Sequence, residues 1–105
     1  MKPLWLDPEA EVELLEVVRW YAERGGPQLS RRLLDDVAAV LESVRRWPGR
    51  FAALHRPKLD PPLRRARVRR FPYAVVFIEL PNEIHVVAFA HLRRRPLYWV
   101  SRLRP

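Results

Sequence analysis

Apolar positions along this chain recur first at helical spacing and then at strand spacing. Ala10, Leu14, Val17, Val18 and Tyr21 fall three or four residues apart, while Glu11, Glu13, Glu16 and Arg19 fall largely opposite. Asp7-Pro8-Glu9 supplies a start: an aspartate to cap the first amides, a proline where no donor is needed, and a glutamate against the helix dipole. Gly25-Gly26 predicts the stop, since glycine accepts the left-handed conformation that ends helices, and Pro27 opens the next segment. A second helix is predicted from Gln28 to Trp47, with Leu33, Val37, Val40, Leu41 and Val44 as its stripe and Arg45 and Arg46 in its last turn. Trp47-Pro48-Gly49 ends it. With so short a connection, the two helices form an antiparallel hairpin, and both stripes need one partner surface.

The remaining apolar runs supply that surface. Lys2 to Leu6 reads as a short edge or terminal strand, and residues 50–63, with Pro57, Pro61 and Pro62, as a loop. Arg64 to Val68 alternates, with Arg65 and Arg67 on one side and Ala66 and Val68 on the other. Arg69-Arg70-Phe71-Pro72 is a turn. Tyr73 to Leu80 is apolar on both faces and predicts a central strand. Pro81-Asn82 turns the chain again, and Ile84 to Ala90 is a last strand. The expected fold is α+β: a short N-terminal strand, then an antiparallel helical hairpin packed on an antiparallel sheet with a C-terminal three-stranded meander. One sheet face is covered by the hairpin; the other is open and carries Arg65 and Arg67.

Length sets this as a single domain spanning 1–105: the chain has 105 residues, 49% apolar and 30% charged. It contains no cysteine and no threonine, and serine only at 30, 43 and 101, so thiolate chemistry is excluded and hydroxyl nucleophiles are scarce. No apolar run is long enough to span a bilayer, and the start turns acidic at Asp7 before a signal-peptide core could form, so a cytoplasmic protein is expected and no membrane partner. Charge adds more. Residues 1–63 hold 10 basic and 10 acidic side chains, whereas residues 64–105 hold 10 arginines against only Glu79 and Glu83, which is the whole net +8. A basic half attached to a neutral half points to a polyanionic partner.

The order of elements resembles the RelE/ParE superfamily, the toxins of type II toxin–antitoxin systems. The likeness is carried by Trp20-Tyr21, Trp47-Pro48, Arg70-Phe71-Pro72-Tyr73 and, most strongly, the H-x-R-R-x-P-x-Y-W pattern of His91, Arg93, Arg94, Pro96, Tyr98 and Trp99. It covers nearly the whole chain and fits the superfamily more closely than any one branch. The resemblance implies a cognate acidic antitoxin that occludes the basic surface. Its RelE-like branch implies a ribosome-dependent mRNA endonuclease using attack by a ribose 2′-hydroxyl; its ParE-like branch implies a non-catalytic inhibitor of an essential target such as DNA gyrase. For the first, Arg65 and Arg67 match the basic pair on the first meander strand, Arg93 the basic residue after the last strand, and Tyr98 the C-terminal tyrosine, with Trp99 the alternative register. Ala74 departs from that branch, which usually carries arginine directly after the aromatic of the central strand, and favours the ParE-like reading.

The residues themselves set the chemistry. Arginines neutralise developing charge on phosphoryl oxygens, but they do not take up protons, so a base must come from His91, Tyr98, His85 or Glu79. His91 is best placed, because a histidine exchanges protons near neutral pH. With the residues that the RelE-like resemblance matches, the candidate catalytic set is His91, Arg65, Arg67, Arg93 and Tyr98. Arg69, Arg70, Arg94, Arg95 and Trp99 are candidate binding residues; Arg93 to Arg95 with Arg65, Arg67 and the adjacent aromatics form the expected polyanion groove, and the tail leads on into Arg102 and Arg104. The three histidines share no ligand spacing with acidic residues, so no metal and no cofactor is expected.

Overall fold

A computed structural model describes residues 1–95 and 97–103. Pro96 of the C-terminal pattern and Arg104 of the basic tail lie outside them. The elements are β1 (Leu4–Leu6), α1 (Pro8–Arg46), β2 (Ala52–Ala53), β3 (Leu63–Arg67), β4 (Tyr73–Glu79) and β5 (Ile84–His91), with 3-10 turns at Pro48–Arg50 and Val100–Arg102.

The expected hairpin is present as two helical arms that meet at a single non-helical residue. A straight helix of 39 residues would run about 58 Å, yet the longest dimension of the molecule is 41 Å. The bend falls at Gly26, whose φ of 80° and ψ of 178° lie in a region only glycine adopts readily. Pro27 then starts the second arm where no backbone donor is needed. At the N-terminus the Asp7 side chain accepts from the Glu9 amide at 2.9 Å, and the Trp47 amide closes the far end by donating to the Ser43 carbonyl at 2.9 Å.

The sheet has the order β1-β5-β4-β3-β2, so β4 is central as its two-sided apolarity requires. The sheet is mixed, which corrects the antiparallel expectation: β1 pairs parallel with β5 in the register Leu4↔Ile84 to Leu6↔Val86. The helices intervene between these strands, and such a crossover permits parallel pairing; a three-residue apolar run carries no signal of direction. The proline-rich loop also contributes β2, which pairs Ala52 and Ala53 with Arg65 and Arg64. Between β4 and β5 the register shifts at Val76/Phe77, leaving Val87 unpaired and putting two consecutive residues, Val87 and Ala88, on the same side.

Two apolar clusters result. Leu33, Val37, Val40 and Val44 from the second arm and Ala10 from the first pack on Ala66, Val75, Phe77, Val86 and Phe89. On the opposite face Leu63, Val76, Val87 and Ala88 pack under Trp99, with Leu97, Tyr98 and Leu103 alongside. The C-terminal segment is thus a strap across the face that the helices leave open.

Candidate functional site

The strap covers only part of that face. Between it and the loop at Leu54–Arg56 lies a hollow of about 530 Å3, floored by Ala74, Val76 and Ala90 and walled by Arg65, His91, Arg94, Arg95, Tyr98 and Trp99. Strand register produces it. Arg65 pairs with Val76, and Val76 with Ala88; Ala74 pairs with Ala90, so alternate residues of three strands point outward together. Ala90 keeps part of its surface open there, whereas Ala74 and Val76 are 1% and 3% exposed.

The expected site residues divide. Arg65, His91, Arg94, Arg95, Tyr98 and Trp99 meet at this hollow. Arg67 and Arg69 line a second, shallower one at the β3 edge with Asp36, Val40, Ser43 and Phe51. Arg70, in the left-handed conformation at φ 68°, donates to both carboxylate oxygens of Asp36 at 3.2 and 3.1 Å. Arg93 is exposed and lines neither hollow, while its backbone amide donates to His91 Nδ1 at 3.0 Å. That bond makes Nδ1 the acceptor and assigns the ring proton of a neutral His91 to Nε2. Tyr73↔His91 pairing, with the Leu92 amide donating to the Pro72 carbonyl at 2.9 Å, brings the β3–β4 turn and the segment after β5 to one end of the sheet. The arginines therefore share an end of the molecule but not a single concavity.

Tyr98 is engaged from both sides. The Arg94 guanidinium lies 3.9 Å over its ring, and its hydroxyl donates to the Glu13 carboxylate. Burial, followed by that bond to Glu13, pushes its ionisation well above the ordinary tyrosine range, against a smaller opposing pull from Arg94 and Arg102. A proton held this tightly leaves Tyr98 a neutral phenol at neutral pH, with no phenolate available to act as a base. Trp99 is 4% exposed and anchors the strap to the sheet. Leu97 takes φ 65° where the strap turns back to the sheet, unusual for a bulky side chain.

Glu13 was expected on the solvent side of its helix and is instead the hub of this region. Its carboxylate accepts from the Phe89 amide at 3.1 Å and pairs with Arg102 at 2.8 Å, and Arg102 also donates to the Val87 carbonyl at 3.1 Å. β1 covers β5 only as far as Val86; beyond it the ion pair satisfies the free edge of β5. Burial alone would lower the Arg102 pKa, but Glu13, Glu9 and Tyr98 overcome that and leave it raised. No sequence signal marked Glu13, because it sits among other glutamates on a helix flank. Asp36 was equally unmarked. Of the other base candidates, Glu79 pairs with Lys2 at 2.9 Å, and His85 lies tilted against Trp5 with ring centroids 4.4 Å apart. Neither lines either hollow. Among the described residues no cluster of histidine and acidic side chains could hold a metal, and no helix is long and apolar enough to cross a membrane.

A broken helix and a strap on opposite faces of a β1-β5-β4-β3-β2 sheet define a ParE-like α+β fold, of the kind the C-terminal pattern led us to expect. Among solved structures, a chain of the chromosomal ParDE TA system from P. aeruginosa has this fold, with a TM-score of 0.72 over 89% of this chain and 98% of that one at 19% identity. No family model and no curated protein matches the chain.

Proposed function

We propose that this protein is the toxin of a type II toxin–antitoxin pair, of the ParE-like branch, and that it stops growth by binding an essential target such as DNA gyrase. The fold shared with the ParDE chain carries the assignment to a toxin. The state of the hollow favours binding over cleavage. Its tyrosine hydroxyl is committed to Glu13, and the central-strand position where nucleases of the superfamily carry arginine is Ala74. A cognate antitoxin with an acidic segment would be drawn to the basic end of the sheet and would neutralise the toxin by covering it.

One observation favours the RelE-like alternative, a ribosome-dependent mRNA endonuclease: His91 shares the hollow with Arg65, Arg94 and Arg95. In that reading His91 takes the 2′-hydroxyl proton at Nδ1 once that nitrogen has released the Arg93 amide, while the arginines stabilise the phosphoryl oxygens. Induced expression with two readouts decides between them. Filamentation and a DNA-damage response with intact messages support the ParE-like reading. Rapid message cleavage, lost in His91→Ala, supports the nuclease. Unimpaired growth with stable protein in the cell overturns both.

A further inference from the structure

Of the arginines that line the open-face hollow, Arg94 alone has its guanidinium resting on a ring, that of Tyr98. The ring is itself held. The Tyr98 hydroxyl donates to Glu13, whose carboxylate also takes the Phe89 amide and Arg102. The Glu13 and Arg102 side chains are 13% and 11% exposed, so this fastening is fixed. A chain of contacts thus runs from the first helical arm, round the edge of β5, to the open face: Glu13 orients Tyr98, and Tyr98 carries Arg94. Arg24 and Arg50 also lie over rings, but the Trp20 and Trp47 rings beneath them are half exposed and border neither hollow. Arg94 is exposed and, among the described residues, meets no carboxylate.

We propose that Arg94 anchors the protein target of the toxin by taking one of its carboxylates, and that Glu13 and Tyr98 are positioning residues for that contact. The inference rests on the toxin reading and names the residue through which it acts. A guanidinium laid on an aromatic ring has given up rotamer freedom before a partner arrives, so less is lost on binding. Its planar fork donates to both oxygens of a carboxylate. Leu54, Leu92 and Leu97, each partly exposed, line the same hollow. Arginine beside apolar side chains suits the centre of a protein interface, whereas a nucleic acid strand positioned by its phosphates gains little from leucines. The segment that fits is an acidic residue flanked by apolar ones.

The test is growth arrest on induced expression, with soluble protein and message integrity measured in the same cells. Arg94→Gln should need at least about tenfold more soluble protein for the same arrest. Arg31→Gln, the same charge change at an exposed position of the second arm, should need no more than the wild type. Tyr98→Phe keeps the ring and frees it from Glu13. It should weaken arrest about threefold in the wild-type background and not at all beside Arg94→Gln. A merely structural tyrosine would cost the same in both backgrounds. Urea unfolding checks that each variant is folded. Arrest by Arg94→Gln equal to that of the wild type would overturn the proposal and leave the toxin reading standing. Equal losses from Tyr98→Phe in the two backgrounds would overturn the positioning role. Message cleavage that Arg94→Gln abolishes would make RNA the partner and overturn the proposal, and an inert wild type would overturn both it and the toxin reading.

Discussion

The two faces of the sheet are made by the same strands and put to opposite uses. Toward the helices, Val75, Phe77, Val86 and Phe89 meet Leu33, Val37 and Val44 in a dry layer filled by branched and aromatic side chains. Away from them the alternate residues are Arg65, Ala74, Val76 and Ala90, and the cover is a strap of a few residues beside an open hollow. Period-two alternation lets one strand pack a closed layer on one side and border an open hollow on the other. The helix face tolerates no gaps, whereas the strap face is built around one.

That contrast is testable by truncating one large aromatic on each side. Phe77→Ala should cost about 3–5 kcal/mol, because a fully buried ring leaves a cavity that neighbouring layers cannot fill. Trp99 is almost as buried, yet Trp99→Ala should cost no more than about 3 kcal/mol, the low end of that range, since water enters its space from the adjoining hollow. Urea unfolding of both variants gives the comparison. Equal losses would mean that the strap face is as closely packed as the helix face.

Glu13→Ala attacks the fastening between the two faces. It removes the acceptor shared by Phe89, Tyr98 and Arg102 and leaves the Arg102 guanidinium buried, at a cost of about 3 kcal/mol. Glu9, 3.0 Å from Arg102, holds the loss at the low end of the range for buried pairs. Denaturant midpoints check this, and a loss below about 1 kcal/mol would show the strap to be held by Trp99 alone.

Gly26→Ala acts only on the helix side. An added Cβ would meet no atom within 4 Å, so any loss comes from the backbone conformation itself. A cost of about 1–3 kcal/mol is expected, while neighbouring substitutions at solvent-facing helix positions should stay within about 0.5 kcal/mol. Thermal unfolding separates the two; indifference at Gly26 would mean that the bend can relocate to Gly25.

Much of this was legible in the residues. The helix start at Asp7-Pro8, the break at Gly25-Gly26, the central strand from Tyr73 and the outward direction of Arg65 follow from local spacing and capping chemistry. The parallel pairing of β1 was not legible, because Leu4-Trp5-Leu6 can pair in either direction and only the path of the helices selects one. The burial of Glu13 was hidden for a related reason: its partners Phe89, Tyr98 and Arg102 are 76 to 89 residues away. Convergence of the arginines was expected as one groove and appears as two hollows, since Arg67 and Arg69 sit at the β3 edge and Arg65 further along the strand. Long-range pairing decided each of these, and single-residue propensity does not encode it.

The smallest effect gives the finest comparison. Tyr73 stands on the helix face, and burial, followed by the influence of Tyr21, pushes its pKa up to about 12. Tyr98 belongs to the strap and shifts in the same direction through burial and Glu13. Unfolded tyrosine ionises near about 10. Above that pH the unfolded chain sheds protons that the folded chain keeps, so the stability tied to both groups is complete below about pH 10 and is lost as pH rises toward the folded values. Urea midpoints should therefore hold steady from about pH 8 to 9 and fall between about pH 10 and 11. Tyr73→Phe and Tyr98→Phe should each flatten that fall. In the Glu13→Ala variant the two faces should separate. With its acceptor gone and the strap loosened, Tyr98 should ionise near its ordinary pH, while Tyr73 stays late because the helix face is untouched. Tyrosinate absorbance during alkaline titration reads this directly. If Glu13→Ala moved both tyrosines together, the two faces would be one cooperative layer rather than two.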